Sequence, residues 1–145
     1  MKILVLNGPN LNMLGKRDHK HYGRLTLKKI NHLLEIKAKK LGVKLLFFQS
    51  NHEGDLVDFI QKQTGKCQGI LINPGALTHY GYALRDALSD TKLPVVEIHL
   101  SKIDQREKFR KIDVLDGIVI KKISGLKEKS YLLGLKILVD YLKKQ

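Results

Sequence analysis

Five short apolar runs, separated by stretches whose apolar residues recur at helical spacing, constrain this chain more than any other feature. They are Lys2 to Leu6, Val43 to Phe48, Gly69 to Ile72, Val95 to Ile98 and Gly117 to Lys121. Runs this short are strand-length, and unbroken apolarity belongs to strands buried on both faces. Between the first two, Thr26 stands as N-cap, Leu27, Ile30, Leu34, Ala38 and Leu41 form a stripe, and Gly42 marks the stop. Glu53 and Asp55 favour the start of a second helix running to about Thr64. Thr78 is expected to cap a third, which reaches about Ser89. After the fourth strand, a polar stretch holds a short helical turn near Gln105 to Lys111. The last helix spans about Leu126 to Lys143, with Tyr131, Leu132, Leu135, Leu138, Val139 and Leu142 on its inner face.

Strands alternating with helices imply a parallel sheet covered on both faces. The chain has 145 residues, enough for one domain with a single sizeable core, and it shows no repeat or linker. The expected architecture is a flavodoxin-like three-layer α/β sandwich over residues 1–145, with a five-stranded parallel sheet of order 2-1-3-4-5 and right-handed crossovers. Ligands of such sheets bind beyond the carboxyl ends of the strands, where the order reverses. That rule points to Asn7 to Asn12, Asn73 to His79 and His99 to Ser101, with Glu97 close by.

The connection after the first strand supports this edge as the site. It runs from Asn7 to Gly23, about three times the usual strand-to-helix connection, and such long connections are commonly functional lids. Gly8-Pro9 forces a turn, and Leu11, Met13 and Leu14 anchor the first half. The second half carries Arg17, His and Lys residues and Tyr22 between Gly15 and Gly23, a cationic flap with candidate hinges. The plainer reading is a long surface loop in which Tyr22 simply packs.

Composition narrows the function. The net charge is +13, from 22 Lys and 5 Arg against 14 acidic residues. No segment alternates basic and aromatic residues, and no helix-turn-helix or zinc-finger spacing appears, so nucleic acid is not the expected partner. The charge instead helps to attract a small anion. Where a chain otherwise uses Lys, an Arg suggests a need for its planar fork. Arg17, Arg106 and Arg110 are therefore candidates for binding an oxyanion. No apolar run approaches membrane-spanning length, and the opening residues are too few for a secretory signal core. One cysteine cannot form an internal disulfide, so a reducing cytoplasm is the expected location.

The familiar cofactor loops are missing after the first strand. Neither GxGxxG nor GxxxxGK[ST] occurs, so no dinucleotide or nucleoside triphosphate is expected. His79 and His99 lack the spacing of a ligand set, so no metal is expected either. Cys67 precedes the third strand and so lies at the opposite edge. What remains is Tyr, His, Arg and Asn. Asn73-Pro74-Gly75-Ala76 could present backbone N–H groups to an oxyanion at a helix start. Alternation along Glu97-Ile98-His99-Leu100-Ser101 puts Glu97, His99 and Ser101 on one side, where a carboxylate can orient an imidazole and help it keep a proton. His79 and His99 are also compatible with plain packing roles.

The strings NGPNLNMLGKR, YGRLTL, QSNHEGDLVDFI, INPGALTH, EIHLS and REKFR, in this order from Met1 to about Arg110, resemble type II 3-dehydroquinate dehydratase. The resemblance implies trans-dehydration of 3-dehydroquinate, a small anion, to 3-dehydroshikimate through an enolate. The setting would be the shikimate pathway of aromatic amino acid biosynthesis, and no cofactor, metal or imine would take part. It also implies a homo-oligomer, a dodecamer of four trimers. Residue by residue, it assigns Tyr22 as general base, His99 as general acid and Arg17 as the lid arginine. Asn10 would hold the water or enolate oxygen, and Glu97 would partner the acid histidine. Asn73, His79, Leu100, Ser101 and Arg110 would bind substrate, and Asp86 would touch substrate or a neighbouring subunit. A cation beside a phenol favours its anionic form, which suits Arg17 as partner of a tyrosinate base.

The chain departs from the pattern in three places. Asp18-His19 replaces Glu-Pro in the lid, which should leave the lid more flexible. Gly81 replaces a common Ser, and Lys111-Ile112-Asp113 replaces a His- and Ser-containing stretch. The rival reading is a non-enzymatic small-ligand or nucleotide-binding module on the same fold, a catalytically dead family member included. Enone absorbance formed from 3-dehydroquinate separates the two.

Overall fold

The computed structural model describes residues 1–145. Its strands are β1 (Lys2–Asn7), β2 (Lys44–Gln49), β3 (Gly69–Asn73), β4 (Val95–Ile98) and β5 (Lys121–Ile123). They form one sheet of order β2-β1-β3-β4-β5, and every neighbouring pair is parallel. The helices are α1 (His19–Tyr22), α2 (Leu27–Leu41), α3 (Glu53–Gln63), α4 (Tyr82–Asp90) and α5 (Glu128–Lys143). This is the expected α/β architecture.

Side-chain alternation along the strands builds two cores. Ile3, Val5, Leu71, Val96 and Ile98 pack under α2 and α5, together with Ile30, Leu34, Tyr131, Leu135 and Leu138. Leu4, Leu6, Ile70, Ile72 and Val95 pack on the other face, under α3 and α4, with Leu56, Ile60, Leu84 and Leu88. The α2 boundaries follow local chemistry. The Thr26 hydroxyl accepts the Lys29 N–H, and Gly42 closes the helix at φ +73.

Two expectations need correction. Thr78 caps no helix. It lies inside a 3-10 segment, Gly75–His79, and α4 begins later, with Gly81 at its N-cap and no side-chain cap. The Thr78 hydroxyl is drawn instead to two buried carboxyl groups. The fifth strand also lies further along than Gly117 to Lys121. Val114, Leu115, Ile118 and Val119 are used to cover the α3–α4 core in a turn, so pairing with β4 starts only at Lys121. Apolarity marked this stretch as buried but could not separate a covering turn from a strand.

Candidate active site

The carboxyl ends of β1, β3 and β4 converge on one cavity. Its walls include Asn10, Arg17 and Tyr22 from the first connection, Asn73 and His79 from the second, and His99, Leu100 and Ser101 from the third. Arg106 and Arg110 close it from the 3-10 segments after β4. A wider recess, lined by Lys20, Lys102 and Lys127, opens beside it and shares Leu100, Ser101 and Arg106. Cations therefore surround the approach, as suits an anionic ligand.

Tyr22 ends the single turn of α1, which Asp18 starts by accepting the Lys20 N–H at 2.9 Å. Two arginines hold its phenol. Arg17 places its guanidinium 3.7 Å from the ring centroid, a stacked cation–π contact. Arg106 donates from Nη1 to the phenol oxygen at 2.6 Å. The nearest cation to the oxygen is thus Arg106, and Arg17 lies on the ring face. Reading the sequence linked Tyr22 to Arg17, five residues away, because they share a loop. Arg106 is distant in sequence, and only its scarcity as an Arg in a Lys-rich chain marked it.

His99 follows β4, and its Nε2–H donates to Glu97 Oε1 at 2.6 Å. Glu97 is wholly buried, and burial pushes its carboxyl above the usual range against the pull of His99. The imidazole is thereby oriented from behind, and Glu97 itself stays out of the cavity lining. His79 ends its 3-10 segment with Nδ1–H donated to the Ile112 carbonyl at 2.6 Å. That contact leaves Nε2 available, and burial lowers the proton affinity of the ring. His79 can therefore serve as a neutral acceptor near neutral pH.

The amide positions are fixed from below. Tyr131 of α5 donates its hydroxyl to Asn7 Oδ1 at 2.6 Å and accepts Asn73 Nδ2 at 2.9 Å. Burial holds the Tyr131 hydroxyl neutral to well above its usual range. Asn73 Oδ1 accepts the Gly75 N–H at 3.1 Å, so one Asn73 amide hydrogen remains for a ligand. That bond also removes the Gly75 N–H from the oxyanion site expected at Asn73-Pro74-Gly75-Ala76. Asn10 adopts a left-handed conformation, φ 69, tolerable for Asn, and its N–H is held by Asn51 Oδ1 at 2.9 Å. The backbone N–H groups of Leu100 and Ser101 make no backbone hydrogen bond, and both residues line the cavity.

Two proposed site residues are outside the cavity lining: Glu97, which stands behind His99, and Asp86, which meets no other residue of the site. Asp86 lies exposed on α4. No group of three or more His, Cys, Asp or Glu side chains is placed to hold a metal. Asn7, Thr78, Asp113 and Tyr131 lie behind the site; the strand-end rule covered Asn7 and Thr78 by position, but nothing in the sequence assigned any of the four its partner. They are buried partners whose roles depend on contacts between distant segments.

Comparison with known proteins gives the family and the fold. Residues 1–139 match the model of the family described as dehydroquinase class II. A 3-dehydroquinate dehydratase from Roseiflexus castenholzii is 52% identical over 139 residues, covering 96% of this chain and 88% of that one. One from Trichodesmium erythraeum is 53% identical over 141 residues, covering 97% and 94%. The crystal structure of a type II dehydroquinase from Butyrivibrio crossotus superposes with a TM-score of 0.92 at 40% identity, covering 95% of this chain and 97% of that one. With sequence match and fold in agreement over nearly the whole length, the chain belongs to the class II dehydroquinase family.

Proposed function

We propose that this protein dehydrates 3-dehydroquinate to 3-dehydroshikimate, as a hydro-lyase of the shikimate pathway. Family membership and the activity carried in its relatives' names support this reading over a non-catalytic binding module. The observation that carries the chemistry is a phenol oxygen hydrogen-bonded to an arginine, in the same cavity as an imidazole backed by a buried carboxyl group.

Tyr22, as phenolate, removes the proton alpha to the ketone, and the electron pair moves onto the ketone oxygen as an enolate. Asn10, with its amide, steadies that oxygen or the water beside it. The enolate then collapses, the carbon–oxygen bond breaks, and His99 gives its proton to the leaving hydroxyl, which departs as water. Glu97 holds the imidazole in orientation and balances its charge. Asn73, His79, Arg110 and the N–H groups of Leu100 and Ser101 bind the hydroxyls and carboxylate of the substrate. No step requires a metal, cofactor or imine.

We also read the protein as a homo-oligomer, a dodecamer of four trimers, in which Asp86 meets a neighbouring subunit. Its exposure on α4, beside the exposed Tyr80 and Tyr82, suits that position. The single buried cysteine fits a reducing cytoplasm. No helix is long and apolar enough to cross a membrane. The test is enone absorbance from 3-dehydroquinate with purified wild type and Tyr22→Phe. Wild type should turn over, and Tyr22→Phe should lose at least about a hundredfold in kcat, the low end for a general base. Near-wild-type turnover would remove Tyr22 from the role, and an inactive wild type would favour the binding-module reading.

A further inference from the structure

Behind His99 and Glu97 lie Thr78, Asp113 and Lys122, which the chemistry above does not use. Glu97 projects to the α3–α4 face of the sheet, the face to which Val95 belongs two residues earlier. Its Oε1 meets His99 Nε2 at 2.6 Å and the Thr78 hydroxyl at 2.5 Å. The same hydroxyl lies 3.0 Å from Asp113 Oδ1. Asp113 Oδ1 also accepts the Leu115 N–H at 2.8 Å, and Oδ2 accepts the Lys122 ammonium at 2.9 Å. Lys122 stands opposite Glu97 in the β4–β5 register and reaches Asp116 at 3.5 Å. A line of contacts thus runs from His99 through Glu97, Thr78 and Asp113 to Lys122 at the surface. Asp113 is one of the positions at which the sequence departs from the family pattern.

Thr78 has one hydroxyl proton and stands between two carboxyl groups, so it can donate to only one of them. When Glu97 is ionised, the hydroxyl donates to it, and Asp113 relies on Lys122 and the Leu115 N–H. When Glu97 takes up a proton, the hydroxyl can turn to Asp113 and accept from Glu97 instead. No heavy atom need move. The two carboxyl groups are suited to opposite states. Burial raises Glu97, whose Oε2 has no partner. Burial also acts on Asp113, but the Lys122 bond and the other donors outweigh it and hold that carboxyl below its usual range.

We propose that Asp113, clamped by Lys122, is a positioning residue for the general acid: through the Thr78 hydroxyl it sets how firmly the Glu97–His99 pair keeps its proton. This rests on His99 being the acid. On the cavity side His99 shares its walls with Arg17 and Tyr22 of the first connection, His79 from the segment after β3, and Arg106 and Arg110 from the stretch after β4; behind the pair stand Asp113 and, from β5, Lys122, which also reaches Asp116. His79 is held toward its neutral form and adds little charge near neutral pH. The three arginines are common to every variant compared below, so the charges that change are Asp113 and Lys122 behind the pair, and they act with opposite sign. A negative charge beside the pair strengthens its hold on a proton, and a positive charge weakens it.

The experiment compares wild type with Asp113→Asn, Lys122→Met, Lys122→Arg and the double variant Asp113→Asn/Lys122→Met. Two readouts are taken on each: the 15N NMR titration of the His99 imidazole and the pH profile of kcat. Asn at 113 keeps the acceptor for the Leu115 N–H, so the local turn survives. The His99 midpoint should fall by about half to one pH unit in Asp113→Asn and rise by a similar amount in Lys122→Met. It should stay near wild type in Lys122→Arg and return toward it in the double variant. The limb of kcat assigned to the acid should follow. Midpoints that stay fixed, or that move in the same direction in both single variants, overturn the proposal whatever happens to activity. A midpoint that moves while the kcat profile ignores it leaves the relay in place and removes His99 from the role of acid.

Discussion

Arg17 and Arg106 hold the same phenol in different ways, and the difference is testable. Arg17 lies over the ring, where its flat guanidinium gives both charge and stacking. Arg106 donates to the oxygen, where most of the negative charge of a phenolate resides. A charge-assisted hydrogen bond contributes about 1.5–3 kcal/mol, or roughly ten- to a hundredfold in rate when it is stronger in the transition state. Arg106→Met should therefore lower kcat by about that factor and move the onset of activity to higher pH. Arg106→Lys should recover much of it, since a point charge can still donate. Arg17→Met should also lose kcat, and Arg17→Lys should stay impaired yet exceed Arg17→Met, because Lys keeps the charge but not the plane. KM should change less than kcat at both positions. Steady-state kinetics over pH on the four variants decide this. An Arg17→Met enzyme that matches wild type would show that the stacked arginine has no part in the chemistry.

The elements meet at the site through tight loop crossings. Gly75 opens the segment after β3 at φ +59, a left-handed conformation, and an added Cβ would stand 2.9 Å from the Pro9 carbonyl oxygen. The loops after β1 and β3, which carry Asn10 and His79, are thus in register only because this position lacks a side chain. Gly75→Ala should lose about 1–2 kcal/mol from the left-handed strain alone, with further loss as the Pro9 loop is pushed away. Chemical denaturation should show the lower midpoint, and kcat should fall with it as Asn10 shifts. An unchanged midpoint would mean that the crossing is looser than its geometry implies. Lid, loops and strand ends all contribute groups to the cavity, and the sheet supplies their common frame.

For the whole molecule, the exposed face is as informative as the core. Tyr80, Tyr82, Phe109 and Ile112 are all more than half exposed, and His79 links them to the cavity through its edge-on contact with Phe109 and its bond to Ile112. Asp86 is exposed on the same helix as Tyr82. Large apolar side chains grouped in this way are commonly covered by a partner. Light scattering should accordingly show a particle many times the 16.5 kDa chain mass. A stable and fully active monomer would contradict the assembly and leave Asp86 without a role.

The strand and helix order, the parallel sheet and the edge that carries the site were legible in the chain, because each depends on local periodicity and on one topological rule. The apolar runs at Ile3 to Leu6 and Gly69 to Ile72 read as buried strands and are strands, and polar residues follow both at once. The placement of Tyr22 and His99 at this edge was also within reach, since one lies in the long connection after β1 and the other directly follows β4, and both line the cavity. Tertiary structure alone decided the rest. It gave the phenol oxygen to Arg106, turned Thr78 from a cap into a bridge between carboxyl groups, and moved the fifth strand to Lys121. These outcomes depend on which distant groups burial forces together. A buried carboxyl or hydroxyl must find its partner wherever the fold places one, and spacing along the chain does not encode that distance.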